Sequence, residues 1–165
     1  MKTKIILPLL MVFNCFTMAA IGQDGFINKA EAKNLTVNRL KEGKWIEYDD
    51  EMGGFTTDTD AAIQYILTEY KADKPVGVVR YYTMEGGIIS ETPYVNGKQN
   101  GLGKTYYETG ELMIEKTWVN DHEEGLEKTY YRNGKLKSTS AFTNGHLGTV
   151  TDYDTNGAVI KVTNY

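Results

Sequence analysis

The chain reads YYETGELMIEKTWVNDHEEG from Tyr106 to Gly125 and, after four residues, YYRNGKLKSTSAFTNGHLG from Tyr130 to Gly148. Both stretches carry two adjacent tyrosines, a glycine turn, a strand-like run, one large aromatic, an asparagine and a second turn. The rhythm extends outward in both directions. The large aromatics Tyr70, Tyr94, Trp118, Phe142 and Tyr165 fall at intervals of 24, 24, 24 and 23 residues. The glycines Gly77, Gly101, Gly125 and Gly148 keep the same step, as do Gly86, Gly110, Gly134 and Gly157. Five residues after each opening glycine stands Tyr82, Tyr106, Tyr130 or Tyr153, and an earlier copy starts at Gly43 with Tyr48. That copy is stretched by about ten residues before Tyr70. Several columns agreeing on one period are the signature of a repeat architecture.

Each unit predicts two strands and two turns. In GLEKTYYRNGKLKSTSAF the Asn133–Gly134 pair is a hairpin signal, since both residues tolerate positive φ. The run after it alternates, with Leu136, Ser138, Ser140 and Phe142 on one side and Lys135, Lys137, Thr139 and Ala141 on the other. Period two makes a half-buried strand. Consecutive units give an antiparallel meander of roughly ten strands, with equivalent residues stacked about 10 Å apart. Tyr82, Tyr106, Tyr130 and Tyr153 form one column; Leu112, Leu136 and Val159 form another. A unit this small cannot bury its own apolar side, so each copy covers the one before.

The frame resembles the MORN repeat in its bacterial variant. Gly101, Tyr106, Tyr107, Gly110, Leu112, Trp118 and Asn120 carry the resemblance. It recurs at Gly125, Tyr130, Tyr131, Gly134, Leu136, Phe142, Asn144 and Gly145. Asp121 replaces a turn glycine, Asp154 replaces a second tyrosine, and FTTDTDAA interrupts the first copy. The resemblance implies an all-β, elongated, single-layer antiparallel meander of about five tandem hairpin repeats. Its units would be 43–76, 77–100, 101–124, 125–147 and 148–165. It also implies a non-catalytic role, since the family includes YwqK-type antitoxins and eukaryotic scaffolds at lipid membranes.

Two segments outside the clean frame need separate readings. In NLTVNRL the alternation predicts a strand from about Asn34, inside a capping segment over residues 23–42, with a short helix on the loosely helical spacing of Ile27, Ala30, Leu35 and Leu40 as the alternative. Ile63–Tyr70 reads as a strand, with a helical tail on Ala61 and Ala62 as the alternative.

The first residues read as a secretory signal: Lys2 and Lys4, the apolar run IILPLLMVF, then small residues at Ala20 and Gly22. Cleavage after Gly22 leaves 143 residues and moves the formal net charge from −4 to −6. It also removes Cys15, the single cysteine, so no disulfide or thiol chemistry is expected. A lipoprotein signal at Cys15 is disfavoured by the bulky Asn14 before it. The expected location is therefore secreted or periplasmic. The acidic balance excludes general nucleic-acid binding, which needs a basic face.

No catalytic constellation, metal site or cofactor motif is expected. His122 and His146 hold the same position in successive units, about 10 Å apart, too far to share one metal easily. Lys74 and Lys98 occupy the same column, so the four read as a solvated turn edge. The acids of EYDDE (Glu47–Glu51) and DHEE (Asp121–Glu124) read as turn acids in water rather than an acid–base pair. NGKQNGLGK (Asn96–Lys104) lacks the full P-loop spacing and its helix. What remains is surface. The expectation is a sheet with one side of Tyr and Trp columns and another of Lys, Glu and Thr. Tyr82, Tyr106, Tyr130, Tyr153 and Trp118, with the edge Lys74, Lys98, His122 and His146, form the candidate surface. Its expected partner is another protein; the alternatives are a membrane-surface or lipid-binding module, or an antitoxin-like neutralising protein.

Overall fold

A computed structural model describes residues 25–165. The expected leader, its cleavage point and Cys15 lie outside the described residues. A 3₁₀ turn over Lys29–Glu31 precedes the strands β1 (Leu35–Val37), β2 (Leu40–Asp50), β3 (Phe55–Thr56), β4 (Ala62–Lys71) and β5 (Lys74–Thr83). There follow β6 (Ile88–Val95), β7 (Lys98–Gln99), β8 (Gly101–Tyr106), β9 (Leu112–Val119) and β10 (His122–Tyr130). The last are β11 (Leu136–Thr143), β12 (His146–Tyr153) and β13 (Val159–Asn164). They form one antiparallel sheet in the order β1-β2-β4-β5-β6-β8-β9-β10-β11-β12-β13, with β3 added to β2 and β7 to β6. The meander is all-β and open, and Ile63–Tyr70 is a strand that starts at Ala62, with no helical tail.

Two kinds of turn alternate along the two edges. On one edge both turn residues are left-handed: Asn38–Arg39, Ala72–Asp73, Asn96–Gly97, Asn120–Asp121 and Asn144–Gly145. These are two-residue hairpins whose twist matches that of the strands. On the other edge only the glycine is left-handed, at Gly53, Gly86, Gly110, Gly134 and Gly157. Asn133 is therefore not left-handed, contrary to the expectation from its Asn-Gly pair. Its loop is longer, closed by the Gly134 N–H on the Tyr131 carbonyl at 2.9 Å and the Tyr131 N–H on the Lys135 carbonyl at 2.8 Å. The same dipeptide serves two turn types because the closing hydrogen bonds, not the dipeptide, set the loop length.

The single strand expected from Asn34 is a tight hairpin instead. Asn34 is itself left-handed, and the chain reverses at Asn38–Arg39 between β1 and β2. Asn34 has another use. Its side-chain amide donates to the Ile46 carbonyl at 3.0 Å and its side-chain oxygen accepts from the Ile46 N–H at 2.9 Å. A side chain thus pairs a stretch of β2 that no strand covers, which blunts that sheet edge.

Burial is concentrated at the N-terminal end. Residues 25–33 cross one face of β2, β4 and β5 like a strap. Phe26 is buried with Tyr65 and Leu67, and Ala32, Ile46, Tyr48, Tyr82 and Met84 pack around them. Arg80, 2% exposed, ties the strap down by donating to the Phe26 carbonyl at 3.3 Å. Beyond β5 the sheet is a single layer.

Candidate functional site

The two faces of the sheet are chemically different, and strand pairing sorts the candidate residues between them. Each opening glycine lies directly opposite a large aromatic: Gly43 and Tyr70, Gly77 and Tyr94, Gly101 and Trp118, Gly125 and Phe142. These aromatics define one face. Gly103 is buried beneath the Trp118 indole, where an added Cβ would meet Nε1 at 3.0 Å. The Lys116 ammonium lies 4.8 Å from the Trp118 ring centroid and pairs with Glu123 at 2.6 Å.

Tyr82, Tyr106, Tyr130 and Tyr153 belong to the opposite face, the one the strap covers. Each opening glycine and its tyrosine are five residues apart, an odd number, so alternation sends them to opposite sides. Tyr82 stacks on Tyr65 at 5.1 Å, beneath the strap. The Tyr106 hydroxyl donates to Glu91 and the Tyr130 hydroxyl to Glu115, both at 2.8 Å. Burial and then the facing carboxylate raise both phenols above their ordinary range, Tyr130 to about 12. The same face carries a row of alternating sign from strand to strand: Arg80, Glu91, Lys104, Glu115 and Lys128. Opposite charges in direct register stabilise the sheet by roughly 0.2–1 kcal/mol per pair. They also neutralise one another.

The expected single side of Tyr and Trp columns is thus corrected: Trp118 stands on one face, the four tyrosines on the other, and Lys104, Lys128 and Glu115 share the tyrosines' face. Lys74, Lys98, His122 and His146 do come together as a set. Each is the first residue after a tight hairpin, and all four are exposed along one edge. Among the described residues no three groups of His, Cys, Asp or Glu are placed to hold a metal ion.

The acidic cluster of the first unit also needs correction. Glu47 and Asp49 lie on β2, not in a turn. Asp49 is buried and accepts from the Gln64 amide at 2.9 Å, while Glu47 pairs with Lys41 and accepts from the Tyr70 hydroxyl. The DHEE acids are engaged as well. Asp121, left-handed in place of a glycine, accepts from the Gln99 N–H at 2.7 Å, and Glu124 accepts from the Asn144 N–H at 2.8 Å.

Two residues matter more than their place in the motif suggested. The Tyr107 hydroxyl donates to the Tyr130 carbonyl at 2.7 Å and the Tyr131 hydroxyl to the Tyr153 carbonyl at 2.8 Å. The second tyrosine of a unit therefore clamps the next. Along the other edge the clamp is backbone: the N–H groups of Asp73, Gly97, Asp121 and Gly145 donate to the carbonyls of Lys41, Pro75, Gln99 and Glu123.

The MORN repeat variant profile matches residues 99–120 and 123–144. No curated protein matches the chain. Among solved structures, a similar chain comes from "Crystal Structure of TarM", at 14% identity and a TM-score of 0.41. That likeness covers 61% of this chain and 19% of the other. The two profile matches fall on consecutive hairpins, joined by the Tyr107 clamp: residues 99–144 carry two copies of the MORN repeat variant.

Proposed function

We propose that the chain is an exported, non-catalytic module that docks another protein on the aromatic face of β6–β11. MORN repeats are generally non-catalytic and serve as protein- or membrane-binding modules. The observation that carries the choice of face is the row Tyr94, Trp118 and Phe142, each opposite a glycine, on a single-layer stretch of sheet. Rigid aromatics give large contact area at low entropic cost and dominate interface hot spots. The opposite face is less suited, because its charges alternate in sign from strand to strand.

The test is affinity capture from envelope extract with Gln23–Tyr165 as bait, and mass spectrometry of what is retained. One control carries Trp118→Ser and Phe142→Ser, the other Tyr106→Phe and Tyr130→Phe, each checked for folding by circular dichroism. A stoichiometric partner lost only with the first control supports the reading. Loss only with the second, or no partner with and without membranes, overturns it. The exposed edge of Lys74, Lys98, His122 and His146 favours a second reading, membrane-surface binding. It predicts flotation with anionic liposomes that weakens as salt rises.

A further inference from the structure

The interrupted first unit builds something the regular units lack. Lys41, Trp45 and Glu47 lie in one alternating row on the aromatic face of β2. Tyr70 of β4 lies opposite Gly43, and Phe55 of β3 opposite Asp49. The Lys41 ammonium stands 4.7 Å from the Tyr70 ring centroid, 5.0 Å from that of Trp45 and 5.7 Å from that of Phe55. It pairs with Glu47, which also accepts from the Tyr70 hydroxyl at 2.8 Å. Trp45 and Tyr70 meet edge to face at 6.1 Å. Three rings and a carboxylate around one ammonium form an aromatic cage. Ring faces attract the cation, their apolar walls accept its alkyl groups, and the carboxylate balances its charge.

A cavity of about 350 Å³ adjoins the cage. Its walls include Trp45, Glu47 and Phe55, shared with the cage, and Asn34 and Thr57. It occupies a notch on the outer edge of β2, because β1 pairs Leu40–Glu42 and β3 pairs Tyr48–Asp49, leaving residues 43–47 unpaired by either. The volume lies within the range of small-ligand sites.

We propose that this cage and cavity bind an organic ammonium group of the methylated or quaternary class, and that Lys41 is a tethered occupant the ligand displaces. The exchange keeps a cation beside Glu47 throughout, so the nearly buried carboxylate is never left alone. Lys41 is 31% exposed at its side chain and Glu47 11%, so the lysine is the partner free to swing out. A primary ammonium is strongly hydrated and regains that hydration on leaving. An alkylated cation loses less water on entering. The site lies on β2–β4, apart from the β6–β11 docking row, and stands or falls independently of it.

The test is calorimetric titration of the purified protein with tetramethylammonium chloride, with potassium chloride as control. Nuclear magnetic resonance of the Lys41 side chain runs alongside. Lys41 methylene signals begin shifted by the rings and move to solvent-like values at saturation. Lys41→Gln tightens binding about tenfold by removing the competitor, and Tyr70→Leu weakens it about tenfold by removing one wall. No saturable heat, or binding that leaves the Lys41 signals in place or survives Tyr70→Leu unchanged, overturns the proposal. Should Lys41→Gln not fold, the wild-type titration and its Lys41 signals decide alone. Two further arms separate the sources. Saturation by free choline assigns a soluble ligand. Sedimentation with phosphatidylcholine but not phosphatidylglycerol vesicles, without response to free choline, assigns a lipid headgroup.

Discussion

Phenylalanine at Tyr107 and Tyr131 deletes two hydroxyls that each fasten one unit to the next. Their acceptors are the Tyr130 and Tyr153 carbonyls, at 2.7 and 2.8 Å. Both carbonyls sit where the strand register shifts, after Thr129 and after Asp152, so the local ladder is already interrupted there. A protein hydrogen bond contributes about 1 kcal/mol net. The full penalty for a buried orphan carbonyl does not apply, because single-layer sheet lets water reach the group. Each substitution therefore costs about 1 kcal/mol. The two act at successive junctions with different partners, so the double variant loses about 2 kcal/mol. For a chain of this size that lowers the melting midpoint by about 6 °C. Urea unfolding followed by circular dichroism reads the change as a lower midpoint at constant slope. Tyr165→Phe, at a residue 76% exposed, is the control. A double variant within about 0.3 kcal/mol of that control would refute the clamp, since surface substitutions routinely differ by that much.

Three more outcomes follow from the hydrogen-bond pattern. Tyr130 holds its proton to about pH 12 in the folded state, against about 10 in an unfolded chain. The folded state then binds more protons in that window, so the contribution is complete below pH 10 and fades as pH rises toward 12. Tyrosinate absorbance should show this, and Tyr130→Phe should flatten the stability loss across those pH values. Asp121→Gly relieves a left-handed aspartate but loses its bond to the Gln99 N–H, so its net effect on the denaturation midpoint is close to zero. Asp121→Ala keeps the strain, loses the bond and costs about 1 kcal/mol. Asn34→Ala removes both bonds to Ile46 and places alanine at φ 46°, for a loss of about 2 kcal/mol. It also uncovers the edge of β2, so light scattering should show concentration-dependent association that the parent lacks.

Most of the repeat was legible because its signals are local. Glycine spacing, alternation and turn residues act within a few positions, so one period predicted one hairpin, and stacking followed. The sorting of aromatics onto two faces was half legible. The odd spacing from Gly101 to Tyr106 is printed in the chain, but that Gly101 lies opposite Trp118 is a matter of register. Register also has a complication that alternation alone does not reveal. Thr105 pairs with Ile114 and Tyr106 with Leu112, so Met113 has no counterpart. Lys137 is skipped in the same way between Thr129–Ser138 and Tyr130–Leu136. The reading that put Leu136 in strict alternation with Ser138 missed this bulge.

The sequence by itself determined the period and the hairpin meander, because each rests on short-range backbone preferences repeated unit after unit. Tertiary structure alone decided which side each column occupies, since an odd offset or a one-residue slip sends a side chain to the other face. It also decided the long-range closures. Phe26 meets Arg80 across 54 positions and Tyr70 meets Glu47 across 23. No periodicity encodes these contacts. They exist because apolar and charged groups at the irregular end of the array had nowhere else to be satisfied.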